Sequence, residues 1–243
     1  MNAADRSPWR RRLGVSAAGW LAAFAVGVVF ALWLRTTGDW NVGLPWERAL
    51  LLRIDRTMPA LFDWAMLVLP WFGTNITIMP ALAIVSIWLI RKRRRYDLAA
   101  HLTIVHLGSI SLNSWMKAIF DRPRPDLWQP RGQFAWASYP SGHAIAGVSV
   151  LFTIAILLHR ERGWRWPYLV VTLLLAVNLY SRLYLGVHWP SDVIGGVVIG
   201  VVWLAATVLA FSGESSHAAV GERSAPPSGG NPSDAKSVSL KEK

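Results

Sequence analysis

"SRLYLGVHWPSD", residues 181–192, is the stretch on which the fold turns. It separates "PYLVVTLLLAVNLY" (167–180) from "VIGGVVIGVVWLAATVLAF" (193–211), and both flanking runs read as lipid-buried helix. Yet the twelve residues between them hold Arg182, His188 and Asp192, groups that are costly when stranded in hydrocarbon. A short polar connection between two spans therefore lies at a membrane surface, and its three ionisable side chains need a reason to be there.

Composition agrees with a membrane location. Of 243 residues, 53% are hydrophobic and 16% charged, where a soluble domain carries about 25% charged residues. One domain is expected. The absence of cysteine excludes disulfides, thiolate metal sites and thiol nucleophiles together. The net charge of +11 comes mostly from short basic clusters at the ends of apolar runs, as the positive-inside rule expects. No basic helix is interleaved with stacking aromatics, so nucleic acid is not an expected partner.

The apolar runs predict an all-α, polytopic membrane bundle of six transmembrane helices, at about 13–34, 73–90, 97–119, 141–159, 166–184 and 190–211. The broken apolar stretch "TMPALFDWAMLVLPWFG" (57–73) is read as an interfacial helix before the second span, with a seventh span as the alternative. Residues 1–12 form a basic N-terminal segment, and 13–211 form the membrane domain. The tail 212–243, rich in Ser, Gly, Pro and Lys, is expected to be disordered. Placing 1–12, 91–96, 160–165 and 212–243 on one side puts 16 of the 25 basic residues there. Both termini are thus expected in the cytoplasm, and residues 181–192 outside it.

Two more polar clusters fall at the outer ends of spans: "KAIFDRPRP" (117–125) and "YPSGHA" (139–144). All three clusters are expected to meet. Ser141 sits where a helix N-cap belongs, and the free amides beyond it, with Gly142 allowing close approach, can form an anion site or a plain cap. Lys117, Arg124 and Arg182 add cations suited to phosphate, or they snorkel to the interface. His188 and Asp192 are four apart, so the carboxylate can hold one imidazole nitrogen and leave the other as a nucleophile, or it can complement a helix dipole. His106, Ser109, Asn113 and Lys117 share one face of the third span, and Asn178 and Arg182 one face of the fifth. Such stripes support a site or bond helix to helix. Cations around the two histidines would repel a divalent ion, so no metal is expected.

Together the clusters resemble the type 2 phosphatidic acid phosphatase family, which shares its core with vanadium haloperoxidases. The family pattern K-x6-R-P, P-S-G-H and S-R-x5-H-x3-D is met by Lys117 with Arg124-Pro125, by Pro140-Ser141-Gly142-His143, and by Ser181-Arg182 with His188 and Asp192. The resemblance covers about residues 50–210. It implies a cofactor-free hydrolase in a bacterial plasma membrane acting on a lipid phosphate or diphosphate from the outer face, undecaprenyl diphosphate first. Phosphatidic acid and phosphatidylglycerophosphate are the alternatives, and a haloperoxidase or a non-catalytic lipid-phosphate binder the other classes. His188 would attack phosphorus and Asp192 would orient it, while His143 would protonate the leaving oxygen. Lys117, Arg124, Ser141, Gly142 and Arg182 would hold the phosphoryl oxygens, supported by Asn113, Asn178 and Ser181.

Overall fold

Pro45 and Pro190 each open a helix, and Gly163 closes one in a left-handed turn. The computed structural model describes residues 3–57, 60–68, 71, 75–128 and 137–212, and all regular structure among them is helical. The elements are α1 (Ala3–Thr37), α2 (Pro45–Thr57), α3 (Asp63–Val68), α4 (Asn75–Trp88), α5 (Tyr96–Phe120), α6 (Gly142–Ala146), α7 (Phe152–Arg162), α8 (Trp166–Tyr184) and α9 (Pro190–Phe211). A π-helical turn, Gly147–Leu151, joins α6 to α7, and another, Leu89–Arg93, extends α4.

Four of these stretches are long and apolar enough to cross a membrane: Pro8–Thr37, Gly142–Arg162, Trp166–Tyr184 and Pro190–Phe211. The outward faces of the first, third and fourth carry large apolar side chains such as Leu21, Val29, Leu169, Leu173 and Leu209, all more than half exposed. Apolar surface of that extent belongs in lipid. This is an integral membrane protein. The 25-residue α5 is long enough to span but less apolar, because its inner face carries His101, His106, Ser109 and Lys117, all buried. It packs on α1, α4, α6 and α9, and its other face exposes Leu107, Trp115 and Ile119.

One boundary and one whole helix differ from the sequence expectation. Helix α1 does not begin at residue 13 but runs back through the basic segment to Ala3, with the Arg12 guanidinium over the rings of Trp9 and Phe211. Helix α2 was not expected at all. Its pattern is amphipathic, burying Glu47, Leu51 and Ile54, and Glu47 reaches back to accept the Leu44 amide at 2.8 Å, as the acidic member of a capping box does. Within 57–73, Ala60–Phe62 make a 3-10 turn and α3 follows, tied to the end of α8 by the Tyr184 hydroxyl donating to Asp63. At six residues, about 9 Å, α3 is too short to cross a bilayer. The expected disordered tail from Gly213 onward lies outside the described residues.

The site end of the bundle is set by how closely α9 approaches α6. A Cβ at Gly196 would stand 2.6 Å from the Ser141 carbonyl oxygen and 2.7 Å from Ala144 Cβ, and one at Gly200 would stand 2.9 Å from Val148 Cβ. Small residues four apart let the two backbones meet, as in other membrane helix pairs. Gly196→Ala should therefore destabilise the purified protein by about 1–3 kcal/mol, because the nearest obstacle is backbone. Gly14→Ala, with nothing within 4 Å of its Cβ, should be neutral or stabilising by up to about 1 kcal/mol. Thermal unfolding in detergent would separate the two; equal melting temperatures would mean that α6 and α9 are not in contact along this stripe.

Candidate active site

Four helix ends and the two connections between them build the site. Helix α9 starts with Pro190, whose missing N–H costs nothing at that position, so Asp192 falls in the first turn. There its carboxylate Oδ2 accepts the Trp189 amide at 2.8 Å and the Ser138 hydroxyl at 2.5 Å, while Oδ1 accepts Arg122 Nη1 at 2.6 Å. Nδ1 of His188 stands 3.7 Å from Oδ2 and 3.5 Å from Ser138 Oγ. Asp192 is fully buried and His188 is 4% exposed. Burial pushes the His188 imidazole down to about 3, against the opposing pull of Asp192, so the ring is neutral and has a lone pair to offer.

Ser141 takes the N-cap position of α6, but its hydroxyl does not cap the helix. Instead its amide donates to the Asp192 carbonyl at 3.0 Å, which ties this turn to the start of α9. Ser141 Oγ, His143 Nε2 and Asn113 Oδ1 are buried without a hydrogen-bond partner. Gly142 has a different reason than expected. The space a Cβ would need is filled by the Asn113 side chain, 2.9–3.1 Å away.

The three expected cations lie around the same place. Lys117, near the end of α5, donates to the Ala137 carbonyl and, at 3.5 Å, to that of Ser138. Arg124 donates to the Val187 carbonyl beside His188, and burial draws its guanidinium down while Asp192 opposes this. Arg182, 5% exposed, donates through Nε to Ser181 Oγ at 3.2 Å. His143 lies within electrostatic reach of Arg182, His188, Lys117 and Arg124 together. Ser181 also donates to the Asn178 carbonyl, and Asn178 Oδ1 is buried without a partner. Of the α5 stripe, Asn113 and Lys117 reach this end. Ser109 bonds Ser149 across the bundle at 2.7 Å, and the His106 ring is buried with neither nitrogen bonded. Among the described residues no three His, Asp or Glu side chains are arranged to hold a metal ion.

Sequence reasoning missed the residues behind Asp192. Arg122 is 1% exposed and donates from Nη1 to Asp192 and to Ser191 Oγ (2.7 Å), from Nη2 to Glu47 (3.3 Å), and from Nε to the Trp40 carbonyl (3.2 Å). Glu47, fully buried, accepts the Ser191 amide at 2.9 Å and its hydroxyl at 2.5 Å. A signal for Glu47 was present. "LPWE" (44–47) and "WPSD" (189–192) are the same device: proline opens a helix, and an acid two residues on reaches back to the amide before it.

Fold and site define a helical membrane protein with a buried carboxylate–imidazole pair and three cations close to it at one end of its bundle. The model of the PAP2 superfamily matches residues 97–215. An undecaprenyl-diphosphatase of Sulfolobus acidocaldarius is 31% identical over 171 residues, 67% of this chain and 76% of that one. The chain belongs to the PAP2 superfamily. YbjG of Escherichia coli is 34% identical over 132 residues, 52% of this chain and 63% of the relative, so that match spans less than two thirds of the relative's length. The fold is that of a transmembrane PAP2-type phosphatidylglycerolphosphate phosphatase from Bacillus subtilis, with a TM-score of 0.67 at 21% identity over 77% of this chain and 93% of the other.

The buried neutral His188 links stability to pH. Its ordinary value is 6.5 and its folded value about 3, so between these the unfolded chain binds the extra proton. This contribution is complete above about pH 6.5 and is lost as pH falls toward 3. The melting temperature in detergent should drop across that window, and His188→Gln should make the drop shallower. An unchanged slope would mean that His188 is not held neutral.

Proposed function

We propose that this chain is a lipid phosphate phosphatase that works from the outer face of the membrane through a phosphohistidine on His188. The observation that carries the reading is His188 seated against Asp192, with Lys117 and Arg124 within electrostatic range of both His188 and His143. A binder needs the cations but not a nucleophile seated against a carboxylate.

On this reading Nε2 of His188 attacks phosphorus while Asp192 steadies the charge that develops on the ring. The bond from phosphorus to the lipid oxygen breaks as His143 gives that oxygen a proton. His143, now neutral, takes a proton from water as the water attacks the phosphohistidine, and orthophosphate leaves with His188 restored. Lys117, Arg124, Arg182, the unpartnered Ser141 hydroxyl and the Gly142 amide hold the equatorial oxygens, whose charge is greatest in the transition state. No step calls for a metal ion. His188→Ala should abolish turnover and any phosphoenzyme. His143→Ala should slow a lipid phosphate by about 10²–10⁴-fold but p-nitrophenyl phosphate far less, since that leaving group departs without protonation. EDTA should leave the rate unchanged. Near-normal turnover by His188→Ala would end the proposal, and loss of activity in EDTA restored by a divalent ion would recast the histidines as ligands.

For the substrate we propose undecaprenyl diphosphate, on the strength of relatives named as undecaprenyl-diphosphatases. A phosphatidylglycerophosphatase B of Bacillus subtilis, 27% identical over 135 residues, makes phosphatidylglycerophosphate the comparison substrate in the assay. Six spans with both termini in the cytoplasm of a bacterial plasma membrane would put the site outside; the basic-residue distribution, the length of α5, and α4 with the π-helical turn that carries it to Arg93 support that count. In a chain without cysteine, Asp126→Cys beside the site and Arg165→Cys between α7 and α8 should differ on intact cells. An impermeant thiol reagent should label the first and spare the second. The reverse pattern would overturn the orientation.

A further inference from the structure

Behind Asp192, on the side away from His188, lies a buried charge cluster that the phosphoryl-transfer reading does not use. Arg122 stands between two carboxylates, Asp192 and Glu47, and all three side chains are 0–1% exposed. Its guanidinium also lies between the rings of Trp40 and Trp189, 4.9 and 5.6 Å from their centroids. Glu47 comes from α2, well ahead of the residues that match the superfamily. We propose that Glu47 is a positioning residue for the nucleophile, acting through Arg122 and Ser191 to fix Asp192 and to keep its negative charge available to His188.

Geometrically, the two oxygens of Glu47 hold four donors: the Leu44 amide and Arg122 on Oε2, the Ser191 amide and hydroxyl on Oε1. Ser191 is the residue before Asp192, so one carboxylate sets both the first turn of α9 and the fork that grips Asp192 Oδ1. Electrostatically, Arg122 alone beside Asp192 would make a closed neutral pair. The carboxylate would then have little charge left to stabilise the cation that forms on the ring when Nε2 bonds to phosphorus. Glu47 supplies the second negative charge, so the cluster sums to −1 and that charge faces His188 through Oδ2. In a buried site such fixed charge acts with little screening.

The alternative is that Glu47 only caps α2 and glues it to the bundle. The two differ in what they change. A positioning residue acts on the transition state, and a structural one disturbs binding and stability alike. Glu47→Gln keeps one oxygen for Ser191 and removes the charge. It should lower kcat by about tenfold to a hundredfold, less than the ~10⁴ that the orienting carboxylate of a serine triad is worth, with KM within about twofold. Inhibition by orthovanadate, which adopts the geometry of the transition state, should weaken in parallel, and inhibition by inorganic phosphate should not. Glu47→Asp, which keeps the charge, should recover part of the loss. In an Asp192→Asn background, Glu47→Gln should cost less than about twofold more, because its route to His188 is already cut.

Equal cost in both backgrounds, or parallel changes in kcat, KM and phosphate inhibition, would overturn the proposal. If Glu47→Gln cannot be recovered folded, Ser191→Ala tests the same route. It removes one hydroxyl from between Glu47 and Arg122 and should lower kcat by about threefold to tenfold at unchanged KM; full kcat would count against it. The inference rests on the phosphatase reading, and the controls keep the two apart. A wild type that hydrolyses no lipid phosphate sinks that reading, whereas an active wild type, an inactive His188→Ala and a fully active Glu47→Gln sink only this one.

Discussion

A carboxylate with no access to solvent must draw all its hydrogen bonds from the protein, and Asp192 draws them from three separate parts of the chain. Arg122 comes from the connection after α5, Ser138 from the segment before α6, and the Trp189 amide from the start of its own helix. Its backbone carbonyl takes a fourth donor, the Ser141 amide. Leaving a buried charge without such partners costs several kcal/mol per lost partner, so these segments have little freedom to sit elsewhere. Lys117, Arg124, His143 and His188 all lie within a few residues of one of them. The convergence of the site is in large part the solvation of one side chain.

The rest of the bundle makes that convergence possible at close range. Helix α9 presents Gly196 and Gly200 to α6 and the following turn, which brings Asp192 and Ser141 to hydrogen-bond distance. Helix α1 packs along α9 and secures the segment before α6 from the other side. The Tyr139 hydroxyl donates to the Gly27 carbonyl at 2.7 Å, and its ring lies among Phe30, Trp40 and Phe120. A helix outside the region that matches the superfamily is therefore built into the site's foundation.

The positions of the membrane helices were legible because apolar length and terminal charge are properties of contiguous sequence. The fifth and sixth spans, read as 166–184 and 190–211, coincide with α8 and α9 nearly to the residue. Helix α2 was not legible from apolarity, because it buries only one face beside the site and leaves the rest polar. The clusters around Lys117, Ser141 and His188 were legible as clusters because charge is conspicuous beside hydrocarbon. Their partners were not. Glu47 and Asp192 are 145 residues apart in sequence, and their link through Arg122 exists only after three segments have folded together. Arg122 and Arg124 share the short run "DRPRP", each followed by proline, and only the spacing from Lys117 sets Arg124 apart. One faces the carboxylates; the other lies beside His188.

That division between neighbouring arginines runs through the whole site. On the side of Asp192, the hydrogen bonds are made: Glu47, Arg122, Ser138 and Ser191 are bound to one another in a closed, buried set. On the side of His143, buried polar atoms of Ser141, His143 and Asn113 have no protein partner, and desolvated polar atoms without partners are unfavourable. A protein that only needed to fold would gain by pairing them. On the proposed reading the asymmetry has a physical purpose. The satisfied half holds the nucleophile's geometry fixed, so that little reorganisation is left for the reaction. The unsatisfied half finds its partners in the phosphoryl oxygens and the leaving oxygen, and those bonds strengthen as negative charge accumulates on them.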